Sequence, residues 1–216
     1  MEPLYIINFK AYPQGIGKRA LSLAKILDEI AKETGTKIII CVQPTDIAMI
    51  AQQVNIPVFS QHIDPIELGA HTGHIPPEAV KEAGAVGTLL NHSEKRLEIE
   101  KIRRGVERAR EVGLKVVVCA RDEKEAALIS KFSPDYIAIE PPELIGGEVS
   151  VSKAKPEVIQ KGAKAVYPVP LLVGAGIKTH EDVKRALELG AVGVLVASGI
   201  VKAEDPRKAM LKLIGL

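Results

Sequence analysis

The sequence contains no tryptophan, and aromatic residues make up only 3% of its 216 residues. We therefore do not expect a platform of aromatic side chains that stacks nucleic-acid bases. The formal net charge is +2, which is too weak to indicate nucleic acid or an anionic membrane as a partner. No apolar run approaches the roughly 18 residues of a membrane-spanning helix, and the N-terminal stretch MEPLYIINFK lacks the regions of a signal peptide. A cytoplasmic protein is expected.

Cysteine is also scarce, since Cys41 and Cys119 are the only two, and each follows a β-branched run. This context favours two buried, reduced thiols over a disulfide. The composition, 46% hydrophobic and 26% charged, is that of an ordinary globular protein. Because no linker or low-complexity segment divides the chain, we expect one domain over residues 1–216.

Short apolar runs alternate with longer stretches that have helical periodicity. In stretches such as 17–34 and 180–190, apolar residues recur at intervals of three and four, as one buried helix face requires. The runs are apolar nearly throughout, which is typical of parallel strands that are buried on both faces. Eight strand–helix units predict an α/β fold, a closed (β/α)8 barrel. The predicted strands are 4–8, 37–42, 57–61, 85–90, 114–120, 136–139, 170–173 and 192–197.

A partial internal repeat supports closure of the barrel. EAGAVGTLL at 82–90 and ELGAVGVLV at 188–196 share the pattern of glutamate, Gly-Ala-Val-Gly and leucine, and they start about half a chain length apart. Each half of the chain would then hold four strand–helix units. Gly84 and Gly190 are expected to end a helix with positive φ. Descent from a half-barrel and convergence on the same helix stop both remain open.

Polar residues follow several predicted strands at the point where each strand ends. Asn8 and Lys10 follow the first strand, His92 follows the fourth, and Glu140 follows the sixth. In (β/α)8 barrels the chemistry is carried by the end of the barrel where strands pass into loops. An amine, an imidazole and a carboxylate are therefore expected to face the same opening.

Small residues follow the last two strands, Gly174-Ala175-Gly176 and Ala197-Ser198-Gly199. They let backbone N–H groups approach an anion closely, and loops at this place commonly bind phosphate in such barrels. Turn glycines alone are a weak signal, but two such loops in succession favour phosphate. We then expect Lys10 to bind the phosphate rather than to be a solvated surface lysine.

His92 precedes Ser93, a candidate helix N-cap. The positive end of a helix dipole disfavours the imidazolium, and a neutral imidazole can donate a hydrogen bond to a carbonyl oxygen. The alternative is a structural histidine with ordinary hydrogen bonds.

Glu140 ends an apolar strand, so partial desolvation would strengthen it as a base. Pro141-Pro142 on one side and Gly146-Gly147 on the other flank the sequence ELI, which predicts a lid that excludes water from a substrate. The alternative is a strand-end carboxylate followed by a surface loop. A phosphate site, a neutral electrophile, a cation and a base together suit abstraction of a proton α to a carbonyl in a small phosphorylated sugar.

The sequence resembles the triosephosphate isomerase family, in its shorter archaeal form, over essentially the whole chain. The segments that carry the resemblance are INFKAY (7–12), QHIDPIELGAHTGHIPPEAVKEAG (61–84), LLNHSE (89–94), EPPELIG (140–146), VSKAKPE (151–157), GAGI (174–177) and LVASGI (195–200). The resemblance implies interconversion of dihydroxyacetone phosphate and glyceraldehyde 3-phosphate through an enediolate, as in glycolysis and gluconeogenesis, without a metal or organic cofactor.

The resemblance also implies roles for single residues: His92 as electrophile, Glu140 as general base, and Asn8 and Lys10 as substrate-binding residues, with Lys10 also stabilising the charge of the enediolate. The predicted substrate- and phosphate-binding residues are Asn8, Lys10, Ile145, Gly146, Gly174, Gly176, Ala197 and Ser198.

Two features depart from the family pattern. Archaeal members usually have Gly-Thr-Gly after the isoleucine of the lid, whereas this sequence has Gly146-Gly147-Glu148, and Glu148 adds negative charge near the expected phosphate. The sixth helical pattern, 159–170, contains Gly162 and ends in two prolines, so a truncated or frayed helix is expected there.

The histidines of one loop and the residues at the strand ends allow other interpretations. His62, His71 and His74 could suggest a metal site, but the loop from Asp64 to His74 matches the loop with which family members contact a second subunit. A homo-oligomer is therefore expected, a tetramer in preference to a dimer. A phosphate-binding barrel synthase would need an acidic cluster for Mg²⁺ at the strand ends. A non-catalytic assembly subunit would not need Lys10, His92 and Glu140 together.

Overall fold

Eight parallel strands form a closed barrel in which every strand pairs with its neighbours in sequence and β8 pairs with β1. The computed structural model describes residues 2–141, 144 and 150–216. The predicted (β/α)8 architecture is confirmed. The strands are β1 (Leu4–Asn8), β2 (Lys37–Val42), β3 (Val58–Ser60), β4 (Gly87–Leu90), β5 (Lys115–Ala120), β6 (Tyr136–Ile139), β7 (Leu171–Val173) and β8 (Gly193–Val196).

Helices follow the strands and surround the barrel. They are α1 (Gly17–Thr34), α2 (Ile47–Ala51), α3 (Pro77–Glu82), α4 (Ile99–Glu111), α5 (Glu123–Ser130), α6 (Val151–Ala154), α7 (Pro156–Val166), α8 (His180–Glu188), α9 (Ser198–Val201) and α10 (Pro206–Ile214). Two short 3-10 turns, Pro13–Gly15 and Pro44–Asp46, precede α1 and α2. None of these helices is both long and apolar enough to cross a membrane.

Apolar side chains fill the barrel on both sides of its strands, which explains why the strand sequences do not alternate between apolar and polar residues. A large outer cluster joins the strands to the helices. Cys41 and Cys119 lie in the interior as free, buried thiols, as predicted, and burial raises the pKa of both. The inner cluster is formed by Ile6, Ile39, Cys41, Phe59, Leu89, Val117, Cys119, Ala138, Leu172 and Leu195.

The repeated glycines have identifiable physical reasons. Gly84 and Gly190 have φ of 101° and 104° and follow α3 and α8, as predicted. In the second copy of the repeat, a Cβ at Gly193 would lie 2.1 Å from the carbonyl oxygen of Leu4. Glycine is therefore required where β8 approaches β1 and closes the barrel.

The prediction of a truncated or frayed sixth helix is wrong. Helix α7 runs without interruption from Pro156 to Val166, and Gly162 is buried within it. A Cβ at Gly162 would lie 2.4 Å from Cδ1 of Ile139 on β6. The glycine allows α7 to pack closely against the strand, and this tertiary contact outweighs its low helix propensity.

Candidate active site

One cleft at the carboxyl ends of the strands brings together most of the predicted site residues. Asn8, Lys10, His92 and Glu140 line it from strands β1, β4 and β6. Gly176, Ala197 and Ser198 line it from the loops that follow β7 and β8. Ile145 and Gly146 lie outside the described residues, as do Gly147 and Glu148, so the predicted lid is described only at Pro141 and Leu144.

Glu140 is held directly after β6 with its carboxylate in the cleft. Its backbone N–H donates to the carbonyl of Ala120 at 2.8 Å, and the residue is only 6% exposed. Oxygen Oε2 lies 3.6 Å from Nε2 of His92 and is buried without a hydrogen-bond partner among the described residues. A buried carboxylate oxygen without a partner is unusual in a protein and calls for a functional explanation.

Gly174 does not line the cleft with the other small residues, although we predicted it as a phosphate-binding residue. Its N–H donates to the carbonyl of Ile139 at 3.0 Å. A Cβ at Gly174 would lie 2.5 Å from both Cγ and Oε1 of Glu140. The structure therefore places Gly174 where it makes room for the carboxylate.

The Cys119 thiol, part of the apolar interior of the barrel, lies beside the Glu140 carboxylate. Burial raises the pKa of the Cys119 thiol, and the charge of Glu140 and a hydrogen bond with it raise this pKa further. The thiol therefore stays protonated beside the carboxylate and adds no second negative charge there.

The predicted N-cap at Ser93 is wrong. Residues 93–95 form a turn, and α4 begins only at Ile99, with Glu98 at its N-cap. The turn itself fixes the imidazole, because the backbone N–H of Glu94 donates to Nδ1 of His92 at 3.2 Å. With Nδ1 as acceptor, a neutral ring carries its proton on Nε2, the nitrogen that faces Glu140.

Asn91 holds this turn against β5, a role that our sequence analysis missed. It has a positive φ of 58°, which asparagine tolerates better than most residues. Its side-chain amide donates to the carbonyl of Cys119 at 2.8 Å and accepts from the N–H of Leu97 at 2.9 Å. The asparagine immediately before His92 was the signal that could have revealed it.

Lys10 also has left-handed backbone conformation, with φ of 50°. Its N–H donates to Oδ1 of Asn8 at 3.0 Å, and its carbonyl accepts from the side-chain amides of Gln61 at 2.9 Å and Gln43 at 3.2 Å. These bonds hold a conformation that is costly for lysine. The ammonium lies 2.7 Å from Oε1 of Glu94, an exposed partner that binds it weakly.

The loop after β7 presents free backbone donors to the cleft. Ala175 and Gly176 have φ of 74° and 71°. Among the described residues, no acceptor bonds the N–H groups of Gly176 and Ile177. In the next loop, Ser198 is the first residue of α9, and the first N–H groups of a helix have no acceptor within it. The two loops can therefore donate several hydrogen bonds to one anion.

Tyr12 and Lys178 line the same cleft, and sequence reasoning missed both. The ammonium of Lys202 lies 5.4 Å from the centre of the Tyr12 ring. Lys178 makes no ion pair with any of the described carboxylates. Its position four residues after β7, beside the glycines, was the available signal.

The loop from Asp64 to His74 projects from the barrel, with residues 67–74 exposed. Asp64 closes its base by bonding Ile75 through both the main chain, at 2.8 Å, and its carboxylate, at 2.7 Å. His62 bonds the same carboxylate at 3.1 Å, and the rings of His71 and His74 meet edge to face. In the described part of the chain, no group of three or more His, Cys, Asp or Glu side chains is placed to hold a metal.

Comparisons with known proteins agree with this geometry. The family model described as triosephosphate isomerase matches residues 3–215. Proteins named triosephosphate isomerase from Methanobacterium bryantii and Methanocaldococcus jannaschii are 49% and 47% identical, over 98% of this chain in both cases and over 96% and 98% of theirs. The fold is that of a crystal structure of triosephosphate isomerase from Bartonella henselae, with a TM-score of 0.76 at 22% identity and 98% coverage of both chains. The chain belongs to the triosephosphate isomerase family of enzymes.

Proposed function

We propose that this enzyme interconverts dihydroxyacetone phosphate and glyceraldehyde 3-phosphate, with Glu140 as the general base and neutral His92 as the electrophile. The observation that carries the proposal is the Oε2 atom of Glu140, buried in the cleft, 3.6 Å from Nε2 of His92 and without a hydrogen-bond partner among the described residues. A base with a free, desolvated lone pair is ready to accept a proton from a carbon acid.

The reaction starts with the ketose bound between the two groups. Glu140 removes a proton from C1 of dihydroxyacetone phosphate, and the electrons of the C–H bond form the C1–C2 double bond while charge develops on the C2 oxygen. The N–H on Nε2 of His92 donates a hydrogen bond to this oxygen. The proton of the C1 hydroxyl then passes to the C2 oxygen, with Nε2 of His92 as the relay. Protonated Glu140 returns its proton to C2, so that C1 becomes the aldehyde and C2 carries the hydroxyl.

Charge stabilisation is the main task of the surrounding residues. The Lys10 ammonium lies within the same cleft and is only 10% exposed, so its attraction for an enediolate is weakly screened. Asn8 shapes the Lys10 main chain and lines the cleft beside it. The N–H groups of Gly176, Ile177 and Ser198 are the donors proposed for the phosphate.

A synthase of another class would hold Mg²⁺ on an acidic cluster at the strand ends. The described part of the cleft instead presents Glu140 with a histidine, two lysines and a backbone-donor loop. No observation in the structure favours the synthase over the isomerase.

A coupled spectrophotometric assay with glyceraldehyde 3-phosphate, in buffer that contains EDTA, tests the proposed reaction. We expect full turnover in EDTA, because the carbonyl of the substrate itself accepts the electrons. Activity that appears only after a divalent metal is added would contradict the proposal and would favour the synthase class.

His92→Gln is expected to retain more turnover than His92→Ala, because the glutamine amide can still donate a hydrogen bond to the substrate oxygen. ¹⁵N NMR of the wild-type imidazole should show that the neutral ring carries its proton on Nε2. A proton found on Nδ1 in the neutral ring, where the N–H of Glu94 already points, would contradict the assignment.

We also propose that the loop from Asp64 to His74 contacts a second copy of the chain. The loop is exposed over residues 67–74, and its apolar Leu68, 69% exposed, would be covered in such an interface. Light scattering at micromolar concentration should give the mass of a homo-oligomer, with a tetramer preferred to a dimer. A fully active monomer would contradict this expectation.

A further inference from the structure

One buried carboxylate joins the loop that follows β7 to the segment that precedes α6. Asp182 is the third residue of α8 and only 3% exposed. Its Oδ2 atom accepts the backbone N–H groups of Lys178 at 3.2 Å and Thr179 at 3.1 Å. Its Oδ1 atom accepts the hydroxyl of Ser150 at 2.9 Å. The carboxylate thus bonds two segments of the protein, the one that follows β7 and the one that lies between β6 and α6.

The segment that leaves β7 continues directly from the donor loop. Lys178 follows Ile177, which lines the cleft and whose N–H group has no acceptor among the described residues. The second segment is fixed to the same loop by another bond, from the N–H of Val151 to the carbonyl of Ala175 at 3.2 Å. Ser150 and Ser152 are 2% and 1% exposed, and their hydroxyl oxygens lie 3.0 Å apart. The cluster is therefore buried and made of well-formed hydrogen bonds.

Helix capping explains only part of this arrangement. The Thr179 side chain accepts the N–H of Asp182 at 3.2 Å, and Asp182 accepts from Thr179 in return, which forms a complete capping box. The box needs nothing from Ser150. The bond from Ser150 is thus an additional connection, and it lies next to Ala175, a residue other than glycine in the left-handed region. Such a conformation persists only where its surroundings hold it.

We infer that Asp182 and Ser150 are positioning residues for the phosphate: together they fix the loop of residues 175–178 so that the N–H groups of Gly176 and Ile177 converge on the anion. This inference rests on the proposed function for the identity of the ligand, a phosphorylated small molecule. Neither residue lines the cleft, so neither is a catalytic residue.

Ser150→Ala removes the additional bond and leaves the capping box intact. Thr179→Ala is the matched control, because it weakens the capping box of the same helix and leaves the Ser150–Asp182 bond in place. Ser150→Thr restores the hydroxyl. The affinities for 2-phosphoglycolate and for inorganic phosphate are measured by calorimetry, KM and kcat by the coupled assay, and Tm by thermal unfolding.

We expect Ser150→Ala to weaken 2-phosphoglycolate binding and to raise KM by about threefold to tenfold, the effect of one lost hydrogen bond, with kcat within about twofold. Thr179→Ala should lower Tm and leave both affinities unchanged. Ser150→Thr should restore binding. If Ser150→Ala does not fold, Ser150→Cys, with a weaker donor, should show a smaller loss in the same direction.

The inference is overturned if Ser150→Ala leaves the affinity for 2-phosphoglycolate unchanged, or if Thr179→Ala loses as much of that affinity. Either result would show that the cluster serves only as a helix cap. The proposed function fails separately, if the wild-type protein binds inorganic phosphate but does not isomerise triose phosphates. In that case the loss of phosphate affinity in Ser150→Ala would still support the inference.

Discussion

Glu140→Gln should lower turnover by at least about a hundredfold, the lower end of what a general base contributes. Glutamine keeps the size and most of the polarity of the side chain but has no basic oxygen for the proton. The backbone bond from residue 140 to Ala120 does not involve the side chain and remains. Because Lys10 and the loops after β7 and β8 are unchanged, affinity for 2-phosphoglycolate should stay within roughly tenfold of the wild type.

Glu140→Asp should also lose turnover, because the shorter side chain withdraws the carboxylate from the carbon acid. Glu188→Gln, a change of the same kind at an exposed carboxylate on α8, is the control and should change nothing. Turnover and the affinity for 2-phosphoglycolate are measured on the same preparations of each variant. Near-normal turnover in Glu140→Gln would show that another residue is the base. Loss of both turnover and affinity for 2-phosphoglycolate would show that Glu140 has a structural role.

Gly174→Ala should lower turnover by about tenfold or more, although residue 174 is not placed to contact the substrate. The new Cβ would lie 2.5 Å from Cγ and Oε1 of Glu140. Contacts this short cannot persist, so the carboxylate must move away from Gly174 and from its position beside His92. The loss should fall on kcat more than on affinity for 2-phosphoglycolate, because the donor loop begins beyond this residue.

The control for this variant is Gly162→Ala, which presses on the same strand at the neighbouring residue, with its Cβ 2.4 Å from Cδ1 of Ile139. We expect it to lower Tm, as overpacking does, and to leave kcat nearly unchanged. Equal loss of kcat in the two variants would show that strand β6 tolerates no packing change and that Gly174 has no special relation to the carboxylate.

The barrel could be predicted because apolar strand patterns and helical patterns alternate regularly along the sequence. Residues 4–8, 37–42 and 136–139 were predicted as strands with the boundaries that the structure gives, and the other five differ by one or two residues at their ends. Strand-end residues could be placed in one cleft because parallel strands share an edge, which brought Asn8, Lys10, His92 and Glu140 together in advance.

The parts that sequence reasoning missed depend on tertiary contacts. A serine followed by a glutamate suggests an N-cap at residue 93, but the turn there is held by Asn91, which bonds Cys119 on β5 and Leu97 ahead of α4. In the sequence, Gly162 suggests a helix breaker. The structure shows that Ile139 fills the space that a side chain at residue 162 would need. Gly174 looks like part of a phosphate loop, and only the position of Glu140 shows its other use.

Proton transfer to carbon is the central claim, and exchange with solvent tests it most directly. Dihydroxyacetone phosphate is incubated in D₂O with EDTA and followed by ¹H NMR. The wild-type enzyme should form glyceraldehyde 3-phosphate with deuterium on C2 and return dihydroxyacetone phosphate with deuterium on C1, and Glu140→Gln should slow both by at least about a hundredfold. Deuterium incorporation at the wild-type rate in Glu140→Gln would contradict the account.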